Sequence, residues 1–135
     1  MLLHFLKRPL RLVMNYTNVF KLALLITFAV VSYLVFSKPN YPIYFTNMDK
    51  LGHAGSFFAL SYLAYYAFKP KWYWLASILS LYAMMIEVIQ SMLPYRRASI
   101  ADVAADLAGI TFFYLCLMLY SNVKDWYQTK AKTSD

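Results

Sequence analysis

The sequence predicts an all-α fold: an integral membrane four-helix bundle with a basic interfacial segment at the N-terminus. Three observations predict it. Hydrophobic residues make up 61% of the 135-residue chain, and charged residues only 14%, against roughly 25% in an ordinary soluble domain. The apolar residues fall in four long blocks, each about the 20 residues needed to cross a hydrocarbon core near 30 Å thick. The formal net charge is +7, which in so apolar a chain marks membrane topology and contact with anionic lipid headgroups. No soluble basic patch is left for nucleic acid, so no nucleic-acid partner is expected.

Residues 1–18 form the first segment. Leu2, Leu3, Phe5, Leu6 and Leu10 interleave with Lys7, Arg8 and Arg11, a pattern suited to the membrane interface. Pro9 interrupts a continuous helix there. A four-helix domain occupies residues 19–121. Its helices are expected at Val19–Phe36, Leu51–Phe68, Trp72–Leu93 and Asp102–Tyr120. No small-x-small cleavage site follows the first block, where Ser37, Lys38, Pro39 and Asn40 stand, so the first helix is read as uncleaved. Only Lys69, Pro70 and Lys71 join the second and third helices, which makes them an antiparallel hairpin. Trp72, Tyr73 and Trp74 sit at that turn, as interfacial aromatics do. Residues 122–135 form a tail. Cys116, the single cysteine, is read as a small packing residue.

Orientation follows from the basic residues. Lys7, Arg8, Arg11, Lys21, Lys69, Lys71, Lys124, Lys130 and Lys132 share one side, and Lys38, Lys50, Arg96 and Arg97 the other. The positive-inside rule then puts both termini in the cytoplasm. The acids divide the opposite way. Asp49, Glu87, Asp102 and Asp106 all fall at or near the outer face.

Each of these acids has a plain and a functional reading. Asp49 and His53 are four apart and share a helical face, and a helix-start acid is favoured by the dipole anyway. Glu87 lies about 22 Å along the third helix at 1.5 Å per residue, inside the outer part of the core. Gln90 lies one turn further out on the same face. An ionisable group at that depth is costly and marks a candidate site. Arg96 and Arg97 suit a phosphate or carboxylate clamp, a solvated loop, or a partner for Glu87. Asp102, Asp106 and Gly109 form one stripe on the fourth helix, with Ser99 at a capping-box-like spacing before Asp102. Ala105 and Gly109 allow another helix to approach closely. Three helices thus bring polar groups to one depth, and His53, Glu87, Arg96 or Arg97, Asp102 and Asp106 are expected to line one outward-facing pocket.

The same residues carry a family resemblance. Asp49-Lys50-Leu51-Gly52-His53 with Phe57 resembles the D-K-x-x-H-x-x-x-F opening of the VanZ-like family. Glu87-Val88-Ile89-Gln90, Arg96, Ser99 and Asp102 resemble its E-x-x-Q…R-x-x-S-x-x-D stretch, and Asp106 with Gly109 its D-x-x-x-N-x-x-G run. The resemblance covers residues 45–115. Two positions depart from it. Asp106 stands where the family has asparagine, which leaves the pocket an extra proton or a cation to hold. Phe113 stands where a second glycine is common. The resemblance implies a multi-pass bacterial plasma-membrane protein and a theme, glycopeptide resistance, since the founding VanZ protein is associated with resistance to teicoplanin-type glycopeptides. It implies no reaction.

Three function classes are compatible with these residues. One is a cell-envelope protein that engages a lipid or wall-derived headgroup, with Arg96 and Arg97 holding the anion and Asp49, His53, Glu87, Gln90, Asp102 and Asp106 lining the pocket. Membrane lipids and a lipid-linked cell-wall precursor are the partners it implies. A second is a membrane-embedded hydrolase or transferase on such a precursor, with His53, Glu87, Asp102 and Asp106 as its acid–base candidates. No organic cofactor is expected, but one histidine with several carboxylates suits a divalent cation. A third is a proton-coupled carrier, which four helices would build only as an oligomer.

Overall fold

A computed structural model describes residues 15–40, 42 and 44–133. The basic segment at residues 1–14 lies outside them. Four helices follow in order: α1 Tyr16–Phe36, α2 Met48–Phe68, α3 Trp72–Met92 and α4 Ile100–Lys132. No strand occurs among the described residues. The four-helix expectation holds, and the helix ends show what set them.

Proline and left-handed backbone close the helices. α2 opens at Asn47 (φ 67°) and ends at Lys69 (φ 47°). The Lys69 N–H returns to the Tyr65 carbonyl at 2.7 Å. Pro70 then prevents further helix, and Lys71 starts α3 in extended conformation. Leu93, the last residue before Pro94, is extended as a pre-proline residue prefers. The three-residue turn at Lys69–Lys71 matches the sequence expectation.

α4 is longer than expected. It continues past Tyr120 to Lys132, so most of the tail at residues 122–135 is helical. Apolar character stops near Tyr120, but no glycine or proline follows to stop the hydrogen-bond ladder. Lys130 stacks over the Trp126 ring at 5.0 Å, and Lys130 and Lys132 occupy the last turn, where cations suit the helix dipole. α1 and α2 likewise begin a turn before their apolar blocks. Cys116 is exposed, so the expectation of a packing role is corrected: it sits on the outer face of α4.

Three helices are long and apolar enough to cross a membrane: α1, α3 and α4. α2 has the same 21-residue length as α1 and α3 but carries Asp49, Lys50, His53, Ser56 and Ser61. Its position explains this. α2 makes the two most extensive helix pairings, with α4 and with α1, and also touches α3, so more of its surface faces protein. The core runs along it: Phe57, Leu60 and Ala64 meet Val31 of α1, Leu75, Leu79, Ala83 and Ile86 of α3, and Ile110 of α4. α1 buries only Val31 in this core and packs Leu24, Val35 and Phe36 against its edge. Much of its remaining apolar surface, including Leu22, Leu25, Ile26 and Val30, is exposed, as a lipid-facing helix requires.

The α2–α4 seam depends on Gly109. A Cβ at that position would stand 2.2 Å from the Ala54 carbonyl oxygen. That contact is with backbone, which cannot swing aside. One turn further along, Phe113 is buried among Phe58, Tyr62 and Tyr65. Close approach is thus needed at the site end of the seam and replaced by aromatic packing below it. Gly109→Ala is expected to lower stability by about 1–3 kcal/mol, the usual cost of overpacking. Thermal unfolding in detergent would read it.

Candidate functional site

The polar groups gather at the end of the bundle opposite the N-terminus of α1 and the C-terminus of α4. Two helices begin there, α2 and α4. Two end there, α1 and α3. The site is therefore built from N-terminal turns carrying acids and from C-terminal turns whose carbonyls need donors.

The first finding concerns the end of α1. Its last carbonyls have no helical partner of their own, and Ser37 is extended. The Ser37 N–H takes Tyr33 O at 2.9 Å. Every carbonyl from Leu34 to Ser37 then receives a donor from α3 or the loop after it. Arg96 donates to Leu34 O through Nη2 and to Ser37 O through Nε at 3.0 Å. Gln90 Nε2 donates to Val35 O at 2.7 Å, and the Tyr95 hydroxyl to Phe36 O at 2.9 Å. Arg96 and Gln90 were expected as ligand-binding residues. Both border the same cavity, but their donors tie α1 to α3. Arg96 also puts a positive charge at the negative end of the α1 dipole.

The second finding concerns the start of α4. Ser99 is its N-cap, yet its side chain makes no capping bond. Instead the Ser99 backbone N–H donates to Glu87 Oε2 at 2.6 Å. In a capping box the carboxylate at the third helical position reaches back to the N-cap N–H. Here Glu87 supplies that carboxylate from α3. The long-range spacing of Glu87 and Ser99 in the sequence is the trace of this cap.

The remaining groups form a cluster. His53 Nδ1 lies 2.9 Å from Asp106 Oδ1, and His53 Nε2 lies 4.0 Å from Asp102 Oδ2. The pairing of Asp49 with His53, four apart on α2, does not occur. Asp49 is exposed and meets Lys50 at 3.5 Å, and Lys50 Nζ stands at the same distance from Asp102 Oδ1. Asp106 is 0% exposed, Asp102 6% and Glu87 8%. Each keeps one buried oxygen without a hydrogen bond: Glu87 Oε1, Asp102 Oδ1 and Asp106 Oδ2. Atoms of His53, Glu87 and Asp102 fall within 4.8 Å of one another, close enough to share one metal ion. Such orphaned acceptors are uncommon in native interiors.

His53 and Asp102 form part of the wall of a cavity of about 680 Å³. Its other walls include Val31, Leu34 and Phe57, and its rim carries Asp49, Arg96 and Arg97. Arg97 is exposed and makes no hydrogen bond or ion pair with the described residues. Lys50, part of the D-K-x-x-H stretch, joins the site although its residue type alone does not mark it. The signal for it was its place: a lysine in the first turn of a helix opposes the dipole and needs an acid, which Asp102 supplies from α4.

A polytopic α-helical membrane protein with a buried acid–histidine cluster at one end of its bundle is the class that this fold and site define. The family model described as VanZ/LLP1 matches residues 1–121. The chain belongs to the VanZ/LLP1 family. No curated protein and no solved structure matches it.

Proposed function

We propose that this chain is a bacterial plasma-membrane protein, with both termini cytoplasmic, that engages the anionic headgroup of a cell-envelope lipid in the cavity beside His53 and Asp102. The observation that carries the reading is the pairing of Arg97, a cation without a partner among the described residues, with a mainly apolar cavity of about 680 Å³ into which His53, Gln90 and Asp102 bring polar groups. That size suits a headgroup; ligand cavities run from roughly 300 to 1,000 Å³. Arg97 contacts the phosphate, Lys50 adds charge beside it, and apolar Val31, Leu34 and Val35 meet the glycerol or the first methylenes. The positive-inside arrangement of lysines and arginines supports an outward-facing cavity. A contribution to glycopeptide resistance belongs to the same proposal and rests on family membership.

Native mass spectrometry of protein released gently from membranes containing phosphatidylglycerol tests it. Wild type is expected to retain the lipid, and Arg97→Ala to lose it at least tenfold at unchanged thermal stability. Equal retention by the two proteins would contradict the reading.

A second reading has one specific observation in its favour. Asp106 holds His53 by Nδ1, the arrangement that orients a histidine for acid–base work. In this reading the protein is a membrane-embedded hydrolase or transferase acting on a lipid-linked cell-wall precursor. Turnover of such a precursor by wild type but not by His53→Ala would select it over binding alone.

A further inference from the structure

We propose that His53, Glu87 and Asp102 bind one divalent cation of the Mn²⁺ or Zn²⁺ type, with Asp106 as the positioning residue for His53. The proposal deepens the headgroup reading and rests on the same cavity. The cation would supply the charge that draws a phosphate inward from Arg97.

Geometry carries it first. The ligand atoms of His53, Glu87 and Asp102 lie within 4.8 Å of one another. Ligands about 2.1 Å from a shared metal sit roughly 3–3.4 Å apart, so small side-chain rotations close the site. Glu87 comes from α3, Asp102 from α4 and His53 from α2, so the three ligands approach from three sides. His53 and Asp102 also border the cavity, so further coordination positions face it.

The carboxylate oxygens are the second, independent observation. Glu87 Oε1 is buried and accepts no hydrogen bond, and Asp102 Oδ1, likewise buried, has only the Lys50 ammonium beside it at 3.5 Å. Glu87 already uses its other oxygen on Ser99, which fixes the carboxylate and leaves Oε1 free to act as a ligand. Orphaned acceptors beside a histidine are what a metal site presents when only its protein atoms are considered.

The His53–Asp106 bond is the third. A histidine that ligates a metal through one ring nitrogen commonly gives the other to a carboxylate, which fixes tautomer and orientation. Asp106 occupies Nδ1 at 2.9 Å, and Nε2 lies on the Asp102 side. The carboxylate of Asp106 thus makes this histidine a better ligand than an amide at that position would.

Charge agrees. Ionised, Glu87, Asp102 and Asp106 carry −3, and Lys50, 3.5 Å from Asp102, returns +1. A buried net charge of −2 at this depth is costly unless paired. One divalent cation neutralises it. The donor set, one imidazole with two carboxylates, suits Mn²⁺ and Zn²⁺.

The test uses full-length protein in detergent, stripped with EDTA and titrated with Mn²⁺ while the free-ion paramagnetic resonance signal is followed. One Mn²⁺ per chain is expected, displaced by Zn²⁺. His53→Ala and Glu87→Gln are expected to weaken it at least tenfold. Asp106→Ala should weaken it 10- to 100-fold, the usual range for an outer partner of a ligating histidine, while Asp106→Asn, which keeps a hydrogen bond to the ring, weakens it less. Should a variant fail to fold, saturable protection of wild type against heating by one equivalent of Mn²⁺ gives the same answer. Phosphatidylglycerol retained in EDTA by a protein that binds no Mn²⁺ would overturn the metal site and leave the headgroup reading intact. One bound Mn²⁺ with no lipid retained would support the metal site and remove the headgroup reading. Equal Mn²⁺ binding by wild type and His53→Ala would overturn the proposal as adventitious surface binding.

Discussion

Arg96→Ala is expected to destabilise the protein by roughly 2–4 kcal/mol, the scale of losing charge-assisted hydrogen bonds with their acceptors left unpaired. The guanidinium serves two carbonyls at the end of α1, those of Leu34 and Ser37. Val31 is the only fully buried residue of α1, so these bonds, with those from Gln90 and Tyr95, carry much of the hold on its C-terminal end. Arg96→Lys should not restore stability, because an ammonium is a point charge and cannot span two acceptors as a planar fork does. The neighbouring Arg97→Ala should unfold at the wild-type temperature, as its side chain is exposed and partnerless among the described residues. Differential scanning fluorimetry of the three variants in one detergent checks this. Equal destabilisation by Arg96→Ala and Arg97→Ala would show that the α1 tether has been misassigned.

Glu87 is expected to separate stability from site function. Glu87→Ala removes the acceptor of the Ser99 N–H, so the first turn of α4 should fray and take Asp102 with it. The expected loss is about 1–3 kcal/mol, as for a buried donor left unsatisfied. Hydrogen–deuterium exchange should show residues 99–103 exchanging faster while α2 stays protected. Glu87→Gln retains a carbonyl oxygen for the same bond, so exchange in that turn should remain near wild type. It removes one carboxylate charge, however, and the Mn²⁺ affinity should fall all the same. Unprotected amides at residues 99–103 in both variants would show that charge, and not the cap, holds α4.

The fold was legible because hydropathy reports lipid contact directly. α1, α3 and α4 face lipid over much of their surface, and their apolar blocks mark them. α2 was legible as an apolar block of the same length despite its polar residues, and the short turn at Lys69–Lys71 set it antiparallel beside α3. The end of α4 was not legible from hydropathy, since the ladder of helical hydrogen bonds continues past the point where lipid-facing residues stop. The approach of α2 to α4 could be read from the Ala105 and Gly109 spacing, because small residues permit it and little else explains them.

The site was legible in membership more than in role. Depth alone grouped His53, Glu87, Asp102 and Asp106, and the structure brings those four together. Depth could not say which polar groups face the cavity and which serve carbonyls. Gln90, Tyr95 and Arg96 are spent on the end of α1, and that need is invisible in sequence because the orphaned carbonyls belong to backbone. Arg97 and Arg96 are indistinguishable by residue type. Only the fold shows that Arg96 has acceptors in reach and that Arg97 has none among the described residues.

The proposed headgroup site requires the cluster to lie at the outer face, within reach of envelope lipids, and cysteine labelling of intact cells tests that most directly. Asn40→Cys in a Cys116→Ser background puts a single thiol on the exposed segment after α1, at the site end of the bundle. A membrane-impermeant maleimide is expected to label it in intact cells as fully as after permeabilisation. Labelling only after permeabilisation would place the cavity on the cytoplasmic side and contradict an outward-facing headgroup site.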